Sequence, residues 1–251
     1  MIPVRDSVAN RYPPVVTWAL LATNCAVFLF QAALTPRGQE TFVYVFSLVP
    51  ARFFALLEAG ALVEAFYPLL TNAFLHAGFL HLAFNMWSLL IFGPSVEDRL
   101  GSRVFLGFYL IAAWTASLAH AFFNANSLIP ALGASGAIAG VMGCYVRLFP
   151  FARLVLLVPV LFYPVFVEAP AILFSAVWLA MQLVPGLITL LIPGEAGGIA
   201  WWAHIGGFAA GWALGPALRR RPRGYRPYFQ DEGVFGFTPD GRRHWRRDLW
   251  E

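Results

Sequence analysis

Ser135 stands in Gly133-Ala134-Ser135-Gly136-Ala137-Ile138-Ala139-Gly140, a run of small residues around one hydroxyl, just past Pro130 and at the head of a long apolar segment. Glycines beside a serine permit a tight, otherwise strained turn and leave room for a large group to reach the hydroxyl. If a helix starts at this point, its free N–H groups point back toward the serine and favour a negative charge developing there. The chemistry on offer is nucleophilic attack, and it needs a base. His204, in Trp201-Trp202-Ala203-His204-Ile205-Gly206-Gly207, is the candidate, and His81 and Asn85 are two further polar side chains inside an apolar segment. Serine with histidine is sufficient for nucleophilic catalysis, and an imidazole with an amide can stabilise an oxyanion. The same small residues also make a packing face between membrane helices, so chemistry and packing both remain open at this point.

The elements that hold these residues must be membrane helices. The 251-residue chain is 59% hydrophobic and 12% charged, against about 45–50% and about 25% in soluble domains. Its 17 basic residues are all arginine, and Cys25 and Cys144 both fall in apolar segments, as buried hydrophobes do. Apolar length predicts six spans: Val16–Leu34, a second around His81–Ile91, Val104–Phe123, a fourth from Ser135 to Phe149, a fifth within Leu154–Leu191 whose stable part is Ala171–Leu183, and Ala200–Leu218. Residues 35–64 mix charge with aromatics and predict short interfacial helices. The expected organisation is a cytoplasmic segment 1–14, a six-span domain 15–218, and an arginine-rich cytoplasmic tail 219–251 that is polar enough to be disordered.

Six spans put both termini on one side. The N-terminus, Arg99 and Arg103, Arg147 and Arg153, and the cluster from Arg219 fall together, with only Arg37 and Arg52 opposite, so the positive-inside rule makes the termini cytoplasmic. Ser135, His204 and the pair His81/Asn85 then lie at matching depth near the outer ends of their spans. Gly136, Gly140 and Gly143 give the fourth span a smooth face, and Gly207, Gly211 and Gly215 give one to the sixth, so the two backbones can approach closely and bring His204 to Ser135. Singly, each polar residue reads as a helix-to-helix hydrogen bond; four at one depth are more economically one shared site. No carboxylate lies at that depth, which predicts a dyad. A small-solute transporter also uses intramembrane His and Asn, but it has no need of a glycine-flanked serine, and no inverted repeat is visible. The tail arginines fit an anionic leaflet better than a nucleic acid.

These motifs resemble the rhomboid intramembrane serine proteases: His81-Leu-Ala-Phe-Asn85 in the second span, Glu97-Asp-Arg99-Leu-Gly101 after it, Gly133-Ala-Ser135-Gly136 opening the fourth, and Ala203-His204-Ile-Gly-Gly207 in the sixth. The resemblance covers about Val16 to Leu218. It implies an all-α membrane protein, a six-transmembrane-helix rhomboid-like bundle, with Ser135 as nucleophile and His204 as general base. It implies an oxyanion site from the Ser135 N–H with His81 and Asn85, loop and packing support from Gly133, Gly136 and Gly207, and a substrate gate at Phe84 beside the fifth helix, with the Gly194–Gly198 loop as a mobile cap. Implied partners are single-span transmembrane substrates and membrane lipid, with no metal, no cofactor and no nucleic acid. The lack of a transit-peptide pattern points to a bacterial plasma membrane. A member that binds transmembrane clients without cutting them is the alternative, although such members have usually lost the serine or histidine. In some members a tyrosine four residues after the serine stacks on the catalytic histidine; here that place is Ala139. His76 matches a histidine often seen before the oxyanion pair, for which a structural hydrogen bond is expected.

Overall fold

The computed structural model describes residues 1–161, 163–191 and 200–219. The expected Gly194–Gly198 cap and the tail beyond Arg219 lie outside these residues. Among the described residues, six helices of fourteen residues or more form the bundle: α1 (Val15–Ala33), α6 (Phe79–Leu100), α7 (Ser102–Phe123), α8 (Ser135–Leu148), α9 (Ala171–Leu191) and α10 (Trp201–Leu218). Between α1 and α6 the aromatic-rich loop folds into short helices, α2 (Pro36–Phe46), α3 (Pro50–Glu58), α4 (Leu62–Phe66) and α5 (Pro68–Thr71), three of them opening on the proline that suits a first helical turn.

The bundle has the architecture of a multi-pass membrane protein. By length and composition α1, α6, α7 and α9 can each cross a bilayer. The other two differ for a physical reason. α8 is about 21 Å long at 1.5 Å per residue, short of the roughly 30 Å hydrocarbon layer. Eleven of its fourteen residues are buried against neighbouring helices, so it has little lipid to meet. α10 dilutes its apolar residues with Trp201, Trp202, His204, Trp212 and four glycines. α8 is thus a short central helix wrapped by its neighbours, and it begins at Ser135.

α10 packs most extensively on α8 and then on α7. The approach is backbone to backbone: a Cβ added at Gly207 would strike the Gly136 carbonyl, and one at Gly211 the Gly140 carbonyl. This is the close crossing that small-residue stripes permit. At the opposite end from Ser135, Glu97 is buried and its carboxylate accepts from Val16 N (2.9 Å), Thr17 N (2.8 Å), Thr17 Oγ1 (2.8 Å) and Ser102 Oγ (2.7 Å). An anion placed on the free N–H groups that open α1 satisfies them and matches the helix dipole. The Glu97–Gly101 stretch thus clamps α1, α6 and α7 together.

One segment differs from expectation. Residues 154–170 are not the first part of a broken fifth span: β2 (Arg153–Val160) and β3 (Tyr163–Pro170) form an antiparallel hairpin, and α9 starts only at Ala171. Within the segment 1–14, β1 (Ile2–Asp6) pairs with β2 and completes a three-stranded sheet in the order β1-β2-β3. A short run apolar on both faces reads alike as strand or as broken span; Pro159, Pro164 and Pro170 exclude a continuous helix.

Candidate active site

Ser135 is held by the loop that precedes it. Leu48 and Ala131 exchange backbone hydrogen bonds (3.1 and 2.7 Å), and Gly133 N donates to Asn72 O at 2.9 Å, so the first-loop helices carry the mouth of α8. The backbone must turn sharply there. Gly133 has φ +126°, a region that disfavours any side chain, and a Cβ on it would lie 2.7 Å from His81 Cε1 and 2.8 Å from His81 Nε2. Ile138 N is the first to close a helical bond, to Ala134 O, which leaves the N–H groups of Ser135, Gly136 and Ala137 without a helical acceptor.

His204 reaches Ser135 across the α8–α10 contact, with Nε2 2.7 Å from Ser135 Oγ. Its other nitrogen, Nδ1, lies 2.7 Å from Oε1 of Gln182 on α9. Gln182 Nε2 donates to Trp178 O at 3.1 Å, which turns the amide oxygen toward the imidazole. An oxygen there requires the proton to sit on Nδ1, and Nε2 is then the lone-pair nitrogen facing the serine hydroxyl. The Ser135 O–H donates to His204 Nε2. Trp178 also lies beside His204, with ring centroids 5.9 Å apart and planes at 38°. It occupies the neighbourhood of the imidazole where Ala139 has no ring to offer.

The donor side of the site is built by α6. Ala77 N donates to His81 Nδ1 at 3.4 Å, so that nitrogen is the acceptor and the proton of a neutral ring is on Nε2, facing Gly133. Asn85 Nδ2, one turn further along, is buried without a hydrogen-bond partner. His76 packs edge-on to His81 (centroids 5.2 Å apart, 67°), and its backbone carbonyl accepts from Gln31 Nε2 at 2.9 Å. Burial, and then the nearness of His81, hold the His76 imidazole down at about 4, so it is uncharged at neutral pH. Phe84 is exposed on the outside of α6. Among the described residues no group of His, Cys, Asp and Glu is arranged to hold a metal ion.

A cavity opens on Ser135 from the α7 side; its walls are mostly alanine and glycine, with Asn72, Ser117 and His120 as polar groups among them. Ser117 Oγ accepts from Asn72 Nδ2 at 2.9 Å. These polar groups offer partners to a water.

A family model described as Rhomboid domain matches residues 63–221. The chain belongs to the rhomboid family. The match spans α6 to α10 and every residue of the site. Similar curated rhomboids include Rhomboid protein 1, mitochondrial, of Saccharomyces cerevisiae, 32% identical over 154 residues, 59% of this chain and 41% of that protein. Rhomboid protease GluP of Bacillus subtilis is 37% identical over 132 residues, 45% of this chain and 25% of its own length. RHOMBOID-like protein 6, mitochondrial, of Arabidopsis thaliana is 29% identical over 174 residues, 67% and 48% respectively. The chain thus spans less than half the length of each of these relatives.

The structure brings Ser135, His204, His81 and Asn85 together at one end of the bundle, and the glycine crossing runs from there along α8 and α10. Gln182 lies outside the motifs that mark the site. An amide oxygen can orient a histidine as a carboxylate does, and Gln182 is the one amide in Ala171–Leu191, the signal the sequence holds for it.

Proposed function

We propose that this rhomboid is an intramembrane serine endopeptidase that cuts single-span transmembrane proteins near the outer face of the membrane. The observation that carries the reading is the 2.7 Å contact between His204 Nε2 and Ser135 Oγ at the half-buried head of α8. His204 takes the hydroxyl proton as Oγ attacks the scissile carbonyl. The new oxyanion is met by the Ser135 N–H, His81 Nε2–H and Asn85 Nδ2, groups with donors to spare. As the tetrahedral adduct collapses, the protonated imidazole gives its proton to the leaving amine, and the acyl group remains on Ser135. A water from the Asn72/Ser117/His120 side then attacks the ester, with His204 again taking and returning a proton. No metal or cofactor is needed. Gln182 is a positioning residue, holding His204 in the tautomer this sequence of transfers uses.

Substrates enter laterally past Phe84, between α6 and α9, and present a small residue before the scissile bond in a stretch of unwound helix. The protein lies in a bacterial plasma membrane with both termini in the cytoplasm, so Ser135 faces the outside. The arrangement of ends supports this: Arg103, Arg147 and Arg153 share the end of the bundle that carries Glu97 and the start of α1. The test is cleavage of a single-span reporter in liposomes with mapping of the cut. A cut near the outer boundary of the span, lost in Ser135→Ala, supports the reading; no cleavage of any of a panel of single-span proteins contradicts it.

A further inference from the structure

The sheet lies in an unexpected place. Trp87 Nε1 on α6 donates to Pro3 O at 2.6 Å, and Ser95 Oγ donates to Asp6 Oδ2 at 2.9 Å. Trp87 to Ser95 is about 12 Å of helix, and Pro3 to Asp6 is about 10 Å of strand. β1 therefore runs alongside α6, from near its middle toward its Leu100 end. β2 runs the other way, with Leu154 opposite Asp6 and Leu157 opposite Ile2. It continues past Ile2 to Val160, a further 10 Å or so toward the Ser135 end. The base of the sheet also meets α9, where β3 runs into it at Ala171.

Side chains are sorted along this axis. Arg5, Asp6, Arg153 and Glu168 all lie at the base, with Arg153 Nη1 and Glu168 Oε2 3.4 Å apart. Beyond Val155 and its partner Glu168, the described residues of β2 and β3 carry no charge. Leu161 is 88% exposed, Tyr163 76% and Phe166 62%. β2 turns Leu154 and Leu156 into the core, but every residue of β3 except Ala169 is exposed. An exposed apolar surface this continuous needs a cover.

The free edge of β3 says which cover it suits. Arg153 N and O both bond to Ser7, so Arg153, Val155, Leu157 and Pro159 turn their backbone groups toward β1. The alternate residues bond to β3, and in β3 it is then Pro164, Phe166, Glu168 and Pro170 whose backbone groups point to the open edge. Two of those four have no N–H. Prolines at outward positions block a further strand. They also remove donors that hydrocarbon could not satisfy.

We infer that the three-stranded sheet is a lipid-binding wedge: it enters the membrane beside α6 from the cytoplasmic side, with its charged base at the headgroups and its tip among the acyl chains. Its described length above Asp6 is about 20 Å, more than one leaflet of about 15 Å. The partner is the bilayer itself.

The test uses the full chain with Cys25 and Cys144 replaced by alanine, carrying a nitrobenzoxadiazole label at Leu161→Cys, Phe166→Cys or Arg153→Cys, in phosphatidylcholine/phosphatidylglycerol vesicles. The first two positions are exposed, so the changes leave the core intact. Emission at 161 and 166 is expected to be largely lost with acyl-chain doxyl lipids and untouched by iodide on both sides, with the reverse at 153. Iodide quenching at 161 and 166 as strong as at 153 overturns the inference by placing the sheet in water. Resistance to both quenchers overturns it too, by placing a protein partner on β3. Neither readout depends on proteolysis.

Discussion

Gln182 Oε1 lies 2.7 Å from His204 Nδ1, on the side of the imidazole that faces away from Ser135. One amide on α9 thereby decides which nitrogen of a histidine on α10 carries the proton. Gln182→Leu removes that acceptor and is expected to lower kcat by about 10-fold to 10²-fold with KM little changed, since the lost term is a matter of orientation. Gln182→Glu keeps an oxygen at the same reach and is expected to recover much of the rate. Equal loss in both variants, or a change confined to KM, would contradict a positioning role. Steady-state cleavage of a single-span reporter measures it.

Asn85 Nδ2 is a buried donor with no acceptor, one turn from His81. If it meets the oxyanion, Asn85→Ala is expected to reduce kcat by about 10²-fold and to leave thermal stability near the parent value, because no existing bond is broken. A fall in unfolding temperature with unchanged kcat would make it a structural residue.

The α8–α10 crossing leaves no space for side chains at Gly207 and Gly211. Gly211→Leu must push the helices apart and is expected to cost more than about 3 kcal/mol, seen as a large drop in detergent unfolding temperature with loss of reporter cleavage. Gly60 has open space around it. Gly60→Asn, which tolerates its φ of +72°, is expected to be near neutral in the same assay.

His76 is held at about 4, below the ordinary 6.5. An unfolded chain takes up a proton on this residue between those pH values and the folded protein does not, so stability is complete above about pH 6.5 and falls as pH drops toward 4. The loss from this group is up to about 3 kcal/mol. His76→Gln cannot titrate and is expected to flatten the dependence of unfolding temperature on pH across that window. An unchanged slope would assign the acid sensitivity elsewhere.

Much of this was legible because membrane helices are read from apolar length, and polar residues inside them stand out. Ser135, His81, Asn85 and His204 announced themselves as expensive in lipid, and the four-residue glycine spacing told which two helices would cross closely. The hairpin was hidden for the converse reason. A strand apolar on both faces has the composition of a membrane span, and β1 carries pairing information only in its register with residues 150 positions away. Gln182 was hidden by expectation, since a neutral amide in an apolar helix is an ordinary helix-to-helix donor until the histidine it faces is known.

The most direct measurement is cleavage of a single-span reporter in liposomes by the parent protein, Ser135→Ala and His204→Ala, with fluorophosphonate labelling of the same samples. Cleavage and labelling are expected of the parent, and neither of Ser135→Ala or His204→Ala. Full cleavage by Ser135→Ala would contradict the role of Ser135 as nucleophile.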